Sequence, residues 1–511
     1  MWISLLLSIS SSLFVIAVIQ PIANMAISWL RLKYYKNQGM QTYYSPMIGH
    51  LGMYSKKHVD NHKRSSTEYV KKLPSVKGDN GIMATNFLFN GTNNGVLVYG
   101  SDLIKEFLVK EDKFEKARVL AKGKYNRFGL FFLDGDEMMK QKSLFLKLFR
   151  YEGIEEIVPS LCQIIQDSFN QFNLVKGIGK EPIRANLNDL FPTIMKRITN
   201  MIMFGKETFE AGSPEEELHD QFFQLAETFK EFGKNPFLIM WPNLMARLGL
   251  SSVAARLDNI NKRQIDLIQK IIDNRINESS SVGDCIFDRM ITHNLECSKD
   301  GRLKDVISAE HMMGNYNLFV FAGTDTSQTT SKLALCHMAD KPELKSILTS
   351  IVEKVYDSQG MTTNANLENS ENLTLWVKEA LRVHSPVSRM STRMATEDVK
   401  LGEFTVRKGD YLNIVPSAMN YNETYFPDPE TFKIDRFTKD NEKALPRYQY
   451  IPFSVGRRNC LGRHLGELMV KLLVTQFCRS YDFEKPSDVE YYYNTMIAIT
   501  FDNPYVLLKS K

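Results

Sequence analysis

A single cysteine lies in a segment whose residue types suit a ligand for iron. Cys460 stands between glycines and beside an arginine, Arg458, in the sequence FSVGRRNCLG at residues 453–462. Apolar residues at helical spacing run from Gly462 to about Arg479, so we expect Cys460 at or just before the N-terminus of a helix. The helix dipole and Arg458 both favour the ionised sulfur. The segment therefore predicts a thiolate that binds iron, and a buried structural thiol is the alternative.

The residue types around Cys460 can each be explained physically if a flat, dianionic macrocycle lies against this loop. Gly456 would permit a turn that directs amide N–H groups at the sulfur, where they tune a bound metal. Gly462 would let the following helix approach the ring closely. Arg458 could pair with a propionate carboxylate, and Phe453 could shield the sulfur from water.

The pattern Phe-x-x-Gly-x-Arg-x-Cys-x-Gly resembles the heme-binding signature of the cytochrome P-450 family. The resemblance implies heme b, which is iron protoporphyrin IX, with the Cys460 thiolate as axial ligand. It also implies a mainly α fold with a small β-rich lobe. It extends from about residue 40 to the C-terminus, and its strong motifs are confined to residues 320–466.

A long helix is predicted from about Ser308 to Met338, and several polar side chains share one of its faces. Taken alone, these polar side chains are the solvent-exposed face of an amphipathic helix. The sequence AGTDT at residues 322–326, however, resembles the oxygen-activating helix of the family. The resemblance implies that an alcohol, Thr326, and an acid, Asp325, stand over the distal face of the iron.

This pair suits oxygen activation. Cleavage of dioxygen needs protons at the oxygen atom farther from the iron, and bulk water must be kept out of the apolar pocket. The hydroxyl of Thr326 can also bond to the carbonyl of Ala322 four residues back. That bond would loosen the helix next to Gly323 and leave room for oxygen and a water. Asp325 would relay protons from the surface side.

A buried ionic network is implied elsewhere in the chain. Glu379 and Arg382 are three residues apart in a predicted helix, so their side chains share a face. A pair at this spacing on the surface would contribute little, but it resembles the family's Glu-x-x-Arg motif. The resemblance implies a structural triad closed by Arg436. The family's usual Pro-Glu before that arginine is Ile434-Asp435 here.

Two further basic residues are implied to contact heme propionates. Arg393 precedes a small predicted hairpin, and the family places an arginine there; a solvated surface arginine is the alternative. Met138 and Lys142 occupy the positions where the family usually has tryptophan and arginine. Lysine supplies the positive charge but cannot donate two parallel hydrogen bonds to a carboxylate as arginine does. The alternative is that Lys142 lies on a solvated helix face.

The N-terminus has the composition of a membrane anchor. No charged residue precedes Arg31, and residues 2–19 are almost wholly apolar or small, about the length of one crossing. Pro21 is expected to kink or divide this stretch. A cleaved secretory signal is the rival, but no basic residue precedes the apolar run. The basic residues that follow, before the first acid at Asp60, predict a cytosolic body.

These observations predict an anchor at residues 1–30, a basic linker at 31–52 and a single heme-thiolate domain at 53–511. The chain has 511 residues, of which 43% are hydrophobic, so it can bury a large core. Helical patterns occupy about 155–175, 186–204, 216–233 and 253–277, and short alternating runs at 87–89 and 96–99 predict a hairpin. The apolar loop 236–245 either dips into a membrane surface or covers the pocket.

The charge and the cysteines limit the possible partners and the compartment. The formal net charge of +5 is modest for this size and does not favour nucleic acid. The six cysteines show no paired zinc spacing and no dense disulfide framework, which agrees with a reducing compartment. The resemblance to microsomal members implies a single-pass protein of the endoplasmic reticulum membrane.

The sequence therefore predicts a monooxygenase that inserts one atom of O2 into a lipophilic small molecule. No dinucleotide-binding fingerprint is present, so electrons must come from a partner, which the resemblance implies is an NADPH-dependent flavoprotein reductase. A basic patch would steer that partner; its candidate residues are Lys142, Lys147, Arg150, Arg457 and Arg463. The alternatives are a heme-thiolate isomerase or dehydratase of oxygenated lipids and a non-catalytic heme sensor or carrier. Fatty acid, sterol and foreign hydrocarbon all remain open as substrates.

Overall fold

The structure is a computed structural model that describes most of the chain. The described residues are 19–44, 80–86, 94–117, 129–146, 149, 155–234, 252–277, 285–357, 360–387, 389–390, 392–491, 493–495, 499–501 and 503–511. The apolar stretch 2–18, the loop 236–245, the run 87–89, Lys147 and Arg150 lie outside them, so the predictions made for these residues stay predictions.

The α-helices make up most of the regular structure, which confirms the predicted mainly α fold with small β-sheets. In chain order they are α1 (Gln20–Asn37), α2 (Ser101–Val109), α3 (Gly135–Leu146), α4 (Val158–Lys176), α5 (Leu187–Phe204), α6 (Pro214–Lys234), α7 (Ser252–Asn277), α8 (Ile286–Lys299), α9 (Ala309–Asp340), α10 (Pro342–Val355), α11 (Asn364–Asn369), α12 (Glu371–Val383), α13 (Pro416–Asn420), α14 (Lys439–Ala444) and α15 (Arg463–Ser480).

The strands are short. They are β1 (Gln41–Tyr43), β2 (Ile82–Asn86), β3 (Asn94–Val98), β4 (Phe114–Lys116), β5 (Ile183–Asn186), β6 (Arg393–Ala395), β7 (Val399–Leu401), β8 (Phe404–Val406), β9 (Tyr411–Ile414), β10 (Tyr481–Glu484), β11 (Tyr493–Thr495), β12 (Ile499–Phe501) and β13 (Tyr505–Ser510). They form a six-stranded sheet of order β1-β2-β3-β9-β6-β4, a three-stranded sheet β10-β13-β5, and the pairs β11-β12 and β7-β8.

The chain divides into two compact units, each built from separate stretches of sequence. The first unit comprises Met1–Ala117, Val387–Arg458 and Tyr492–Thr500. The second comprises Arg118–Pro386, Asn459–Tyr491 and Phe501–Lys511. The six-stranded sheet belongs to the first unit, and the long helices α3 to α12 and α15 belong to the second.

The core of the first unit lies around the six-stranded sheet. Strands β2 and β3 pair antiparallel, and β3 pairs parallel with β9. Every residue of β2 and β3 is buried, so both faces of these strands are covered. Helix α1 covers part of the sheet with Leu32 and Tyr35, which belong to the same core. Residues 96–98 of the predicted second strand lie in β3, whose antiparallel partner is β2, and the predicted first run 87–89 lies outside the described residues.

Polar contacts also fix helix α1 to the sheet. The Tyr35 hydroxyl donates to the buried carboxylate of Asp410 at 2.6 Å, and Arg31 lies 3.0 Å from the same group. Ser28 donates to the Asn94 side chain at 2.7 Å. Residues 31–37, expected in a linker, thus lie in a docked helix. In the described part of the chain, no helix combines the length and the apolar character that crossing a membrane requires.

The second unit is organised around helix α9. Ser308 caps its N-terminus by accepting a hydrogen bond from the amide of His311, and Pro342 follows its end. Residues on nearly every side of α9 are buried, because α5, α7, α10, α12 and α15 pack against it. Helices α4 to α7 agree with the four predicted helical patterns to within about one turn, and α9 confirms the predicted long helix.

Candidate active site

The cysteine loop is positioned by helix α15. Gly462 is the N-cap residue of α15, and its carbonyl accepts a hydrogen bond from the amide of Gly466 at 2.8 Å. Cys460 therefore lies just before the helix, as predicted. Cys460 is exposed, whereas the other five cysteines are buried. This exposure of the residue distinguishes Cys460 from the cysteines that only fill the core.

The surroundings of the Cys460 thiol act on its pKa in opposite directions. Desolvation by the protein raises the pKa, and the amide of Gly462 and the positive charge of Lys142 lower it. The net shift is upward, while the amide at the start of α15 lowers the pKa in the direction that the sequence predicted, and Lys142 and Arg463 supply the nearby positive charge. Desolvation exceeds the stabilisation by nearby positive groups. The thiolate then depends on a bound metal, which deprotonates a coordinating thiol.

Lys142 reaches the cysteine loop from helix α3. Its ammonium donates to the side-chain oxygen of Asn459 at 2.6 Å and to the carbonyl of Asn459 at 3.1 Å. Lys142 is itself buried. The contact holds the residue next to Cys460, a role that the sequence did not predict. Propionate binding by Lys142 stays a prediction.

The middle of helix α9 has the polar pair that the sequence predicted. The Thr326 hydroxyl donates to the carbonyl of Ala322 at 2.7 Å. Phe321, Ala322 and Gly323 are exposed, although the helix is buried on both sides of them, and a Cβ added to Gly323 would meet no atom within 4 Å. This segment of α9 thus presents a small, largely apolar surface beside Thr326 and the half-buried Asp325.

Glu379 and Arg382 form a buried bidentate ion pair on helix α12. The Nε and Nη2 atoms of Arg382 each donate to a carboxylate oxygen of Glu379 at 2.8 Å, and both side chains are 0% exposed. Arg436 belongs to the first unit, where its Nη2 donates to the carbonyls of Asp428 and Thr431. The pair is present as predicted, and the closing of a triad by Arg436 stays a prediction.

Arg393 is buried in strand β6 opposite a second buried cation. It is 7% exposed, and its partner in the antiparallel register is Lys116 of β4, which is 4% exposed. Opposed residues of an antiparallel pair project from the same face. The first unit therefore places two basic side chains together, as a binding site for an anion requires. The sequence analysis missed Lys116, although the order Phe-Glu-Lys in β4 alternates buried, exposed and buried residues.

The loop before Cys460 turns at Gly456. This glycine has φ +75°, and an added Cβ would lie 2.7 Å from Leu108 and 2.8 Å from Glu111. The amide of Arg457 donates to the carboxylate of Glu111 at 3.2 Å, so Glu111 is a second residue that the sequence did not predict. Phe453 and Arg458 are half-buried at the two ends of this turn.

Gly456→Ala is expected to lower the midpoint of thermal unfolding more than Gly177→Ala. Both glycines have a positive φ, which costs an L-residue about 1–2 kcal/mol, but a Cβ at Gly177 would meet open space. At Gly456 the added methyl group must also displace Leu108 and Glu111. Equal losses in the two variants, measured by thermal unfolding, would show that the contacts of Gly456 do not matter.

The residues present fit a heme with a thiolate ligand. The second unit by itself presents an exposed cysteine just before a helix and, on α9, an exposed apolar turn beside the alcohol Thr326. A glycine-containing loop, an apolar surface and basic residues are the groups that such a cofactor needs from a protein.

The cytochrome P450 family model matches residues 82–508. Among curated proteins, cytochrome P450 3A15 of Cavia porcellus is 24% identical over 405 residues, 78% of either chain. Cytochrome P450 3A12 of Canis lupus familiaris is 21% identical over 427 residues, 82% of this chain and 83% of its own. Lithocholate 6-beta-hydroxylase of Mesocricetus auratus is 23% identical over 420 residues, 80% of either chain. The chain thus belongs to the cytochrome P450 family and is a monooxygenase whose heme iron is bound by a cysteine thiolate.

Proposed function

We propose that this monooxygenase inserts one oxygen atom from O2 into a lipophilic small molecule, with electrons from an NADPH-dependent flavoprotein reductase. The observation that carries the proposal is the pair Asp325-Thr326 beside the exposed apolar turn of α9, with the Thr326 hydroxyl bonded to Ala322. An acid and an alcohol at this place are needed for controlled proton delivery, which oxygen activation requires. Rearrangement of an oxygenated lipid requires no such pair.

The cysteine loop would hold the cofactor. Cys460 would bind the iron through its thiolate, Phe453 and Gly456 would shield and orient its sulfur, and Arg458 would pair with a carboxylate. When bound, the heme supplies the electron-rich iron at which O–O cleavage occurs. Gly462 would let helix α15 approach the cofactor closely. Lys142 holds the cysteine loop through its hydrogen bond to Asn459.

The buried cations of the first unit would bind the carboxylates of the cofactor. Arg393 and Lys116 face the same side of the sheet, and positively charged donors of this kind bind carboxylates. The buried Glu379–Arg382 pair, with Arg436 as its proposed third member, would stabilise the core without taking part in the chemistry.

Thr326 would control a proton at its own oxygen atom. Because its hydroxyl hydrogen is donated to the Ala322 carbonyl, the Thr326 Oγ1 presents lone pairs that can accept a hydrogen bond from a water or an acid. Asp325 would supply that proton. The apolar surface formed by Phe321, Ala322 and Gly323 would limit the access of bulk water.

Exposed basic residues are an argument that the electron donor has an acidic surface. Arg457 is exposed in the first unit, and Arg463 begins α15 in the second, where it pairs with Glu467 at 3.2 Å. Such residues would steer a flavoprotein with a complementary surface. The apolar N-terminal sequence supports a single-pass anchor in the endoplasmic reticulum membrane with a cytosolic catalytic body.

Steroids are the first substrate class to test, because one relative is named for hydroxylating lithocholate at its 6-beta position. The purified ferric protein would be titrated with steroids, fatty acids and aromatic hydrocarbons while the heme absorption band is recorded. A saturable shift that accompanies reductase-dependent product supports the proposal. Saturable binding of an oxygenated lipid that is rearranged without reductant would instead identify an isomerase, and binding with no turnover would identify a sensor or carrier.

Thr326→Ala is expected to lower the yield of product per electron by about tenfold, since positioned proton transfer contributes at least that much. Reductant consumption should continue, with the electrons released as peroxide. The measurements are NADPH oxidised, hydrogen peroxide released and product formed.

Thr349→Ala is the matched control for Thr326→Ala. Its hydroxyl makes the same type of bond to a carbonyl four residues back, 2.9 Å to Lys345, on helix α10. Thr349→Ala should leave the yield unchanged. An unchanged yield in Thr326→Ala would exclude the proton role of Thr326.

A further inference from the structure

Two polar contacts connect helices α5 and α9 inside the second unit. Lys332 donates to the Asn188 side-chain oxygen at 2.7 Å. The hydroxyls of Thr199 and Thr324 lie 3.1 Å apart and share a hydrogen bond. The start of α5 therefore lies against the later part of α9, and the end of α5 against its middle. We refer to these four residues, with Gln328 and Ser331 between them on α9, as the α5–α9 seam.

Lys332 is the charged member of the seam, and the negative charge of Asp325 acts on it. It is 7% exposed, and a lysine is seldom buried without a compensating partner. Residues 325 and 332 are two turns apart on one face of α9, and helical side chains tilt toward the N-terminus. Asp325 and Lys332 therefore share this face, and the charge of Asp325 acts on Lys332, whose ammonium is bonded to Asn188.

The electrostatics agree with this geometry. Burial lowers the pKa of Lys332 to about 8, and the negative charge of Asp325 opposes that shift. A lysine with such a pKa can release and regain a proton near neutral pH, which an ordinary lysine does not. Cys336 acts on Lys332 as well, but burial raises the pKa of this thiol, so it stays neutral.

Buried polar atoms continue the seam from Lys332 toward the middle of α9. Thr324, Gln328 and Ser331 lie on one stripe of the helix. Within the described ranges, Oε1 of Gln328 and Oγ of Ser331 are buried and have no hydrogen-bond partner. Buried polar atoms are normally satisfied by protein or by ordered water. The seam therefore offers hydrogen-bonding positions for water between Lys332 and the Asp325 turn.

The other end of the seam is near the surface. Asn188 is half-buried, and the next residue, Asp189, is exposed and pairs with Lys176 at 2.8 Å. Only the half-buried Asn188 thus separates Lys332 from the surface, where water can supply a proton.

We propose that Lys332 is a positioning residue that passes protons from the Asn188 end of the α5–α9 seam to Asp325. The inference rests on the proposed function. The Lys332 ammonium gives its proton, through water bound along the seam, to the Asp325 carboxylate, and the resulting amine regains a proton from water near Asn188. Asp325 passes the proton on through Thr326. In each turnover the substrate C–H, O2, two electrons and two protons give the alcohol and water.

The test compares Lys332→Met and Lys332→Arg in the heme-loaded protein with reductase and substrate. Methionine removes the proton, whereas arginine keeps the positive charge and donors but does not deprotonate. Both variants are expected to lower product per NADPH by about tenfold, as loss of a proton-transfer group does. The solvent deuterium isotope effect on product formation should rise. Lys354→Met, which changes an exposed lysine on α10, should behave as the wild type.

Peroxide-driven turnover shows whether the variants still fold and bind substrate. Hydrogen peroxide converts substrate to alcohol and water without external protons, so Lys332→Met should retain this rate within about twofold. A loss of both rates would indicate damage to the site and overturn the proton role. Full recovery of the NADPH-driven yield in Lys332→Arg would also overturn it, because charge alone would then suffice.

A measurement without turnover tests the link between the two residues. The pKa of Lys332, followed by NMR of lysine labelled at Cε, is expected to fall in Asp325→Asn, because the opposing negative charge is lost. An unchanged pKa would exclude the link. If the wild type forms no product with reductase, the proposed function fails; if it does and Lys332→Met matches it, only this inference fails.

Discussion

Replacing Cys460 with serine is expected to remove the thiolate-type spectrum of the reduced carbon monoxide complex and to lower product formation by more than about 100-fold. Changes to groups that only orient a metal ligand already cost 10- to 100-fold, and here the ligand itself is lost. A serine hydroxyl does not ionise near neutral pH and cannot supply the electron donation of a thiolate. The measurements are the absorption spectrum and the rate with reductase.

Cys285→Ser is the matched control. Cys285 is the N-cap residue of helix α8, where its sulfur accepts a hydrogen bond from the amide of Asp288. Serine is a preferred N-cap residue, so this substitution should preserve the fold and the spectrum. A thiolate-type spectrum that survives in Cys460→Ser would assign the axial ligand to another residue.

Arg382→Met is expected to lower the free energy of unfolding by about 3–5 kcal/mol, the usual cost of removing one partner of a buried ion pair. The carboxylate of Glu379, which is fully buried, would lose the two hydrogen bonds that Arg382 donates. We expect lower heme content after purification and an earlier unfolding transition in denaturant. A kinetic defect with normal stability would contradict a structural role.

The double variant Glu379→Leu/Arg382→Met is expected to be more stable than Arg382→Met alone, since it removes the buried Glu379 carboxylate together with the cation that pairs with it. Lys433→Ala provides the surface comparison. It removes an exposed pair with Asp428 at 2.9 Å and should change stability by less than about 1 kcal/mol.

The helices and the chemistry of the cysteine loop could be predicted because their signals are local. Apolar periodicity identified α4, α5, α6, α7 and α9, since each helix must bury one face or more. The Thr326–Ala322 bond follows from helical spacing alone. The turn at Gly456 was predicted from residue type, and its positive φ bears this out.

Contacts between distant parts of the sequence could not be predicted. Lys142 and Asn459 are 317 positions apart, and nothing local in either segment indicates that they meet. The same is true of Lys116 opposite Arg393 and of Asn188 beside Lys332. The upward shift in the pKa of the Cys460 thiol could not be predicted for a related reason, because desolvation depends on the tertiary environment and not on neighbouring residues.

Helix α1 determines where this chain can be shortened. Tyr35 and Arg31 supply contacts to the buried carboxylate of Asp410, whose pKa burial has already raised. A protein that began at residue 38 would lose both contacts, together with Leu32 from the core, and would expose the strands that α1 covers. Removal of residues 1–19 would leave all of them intact. The folded enzyme thus begins before Arg31, inside the stretch that composition alone assigns to the membrane.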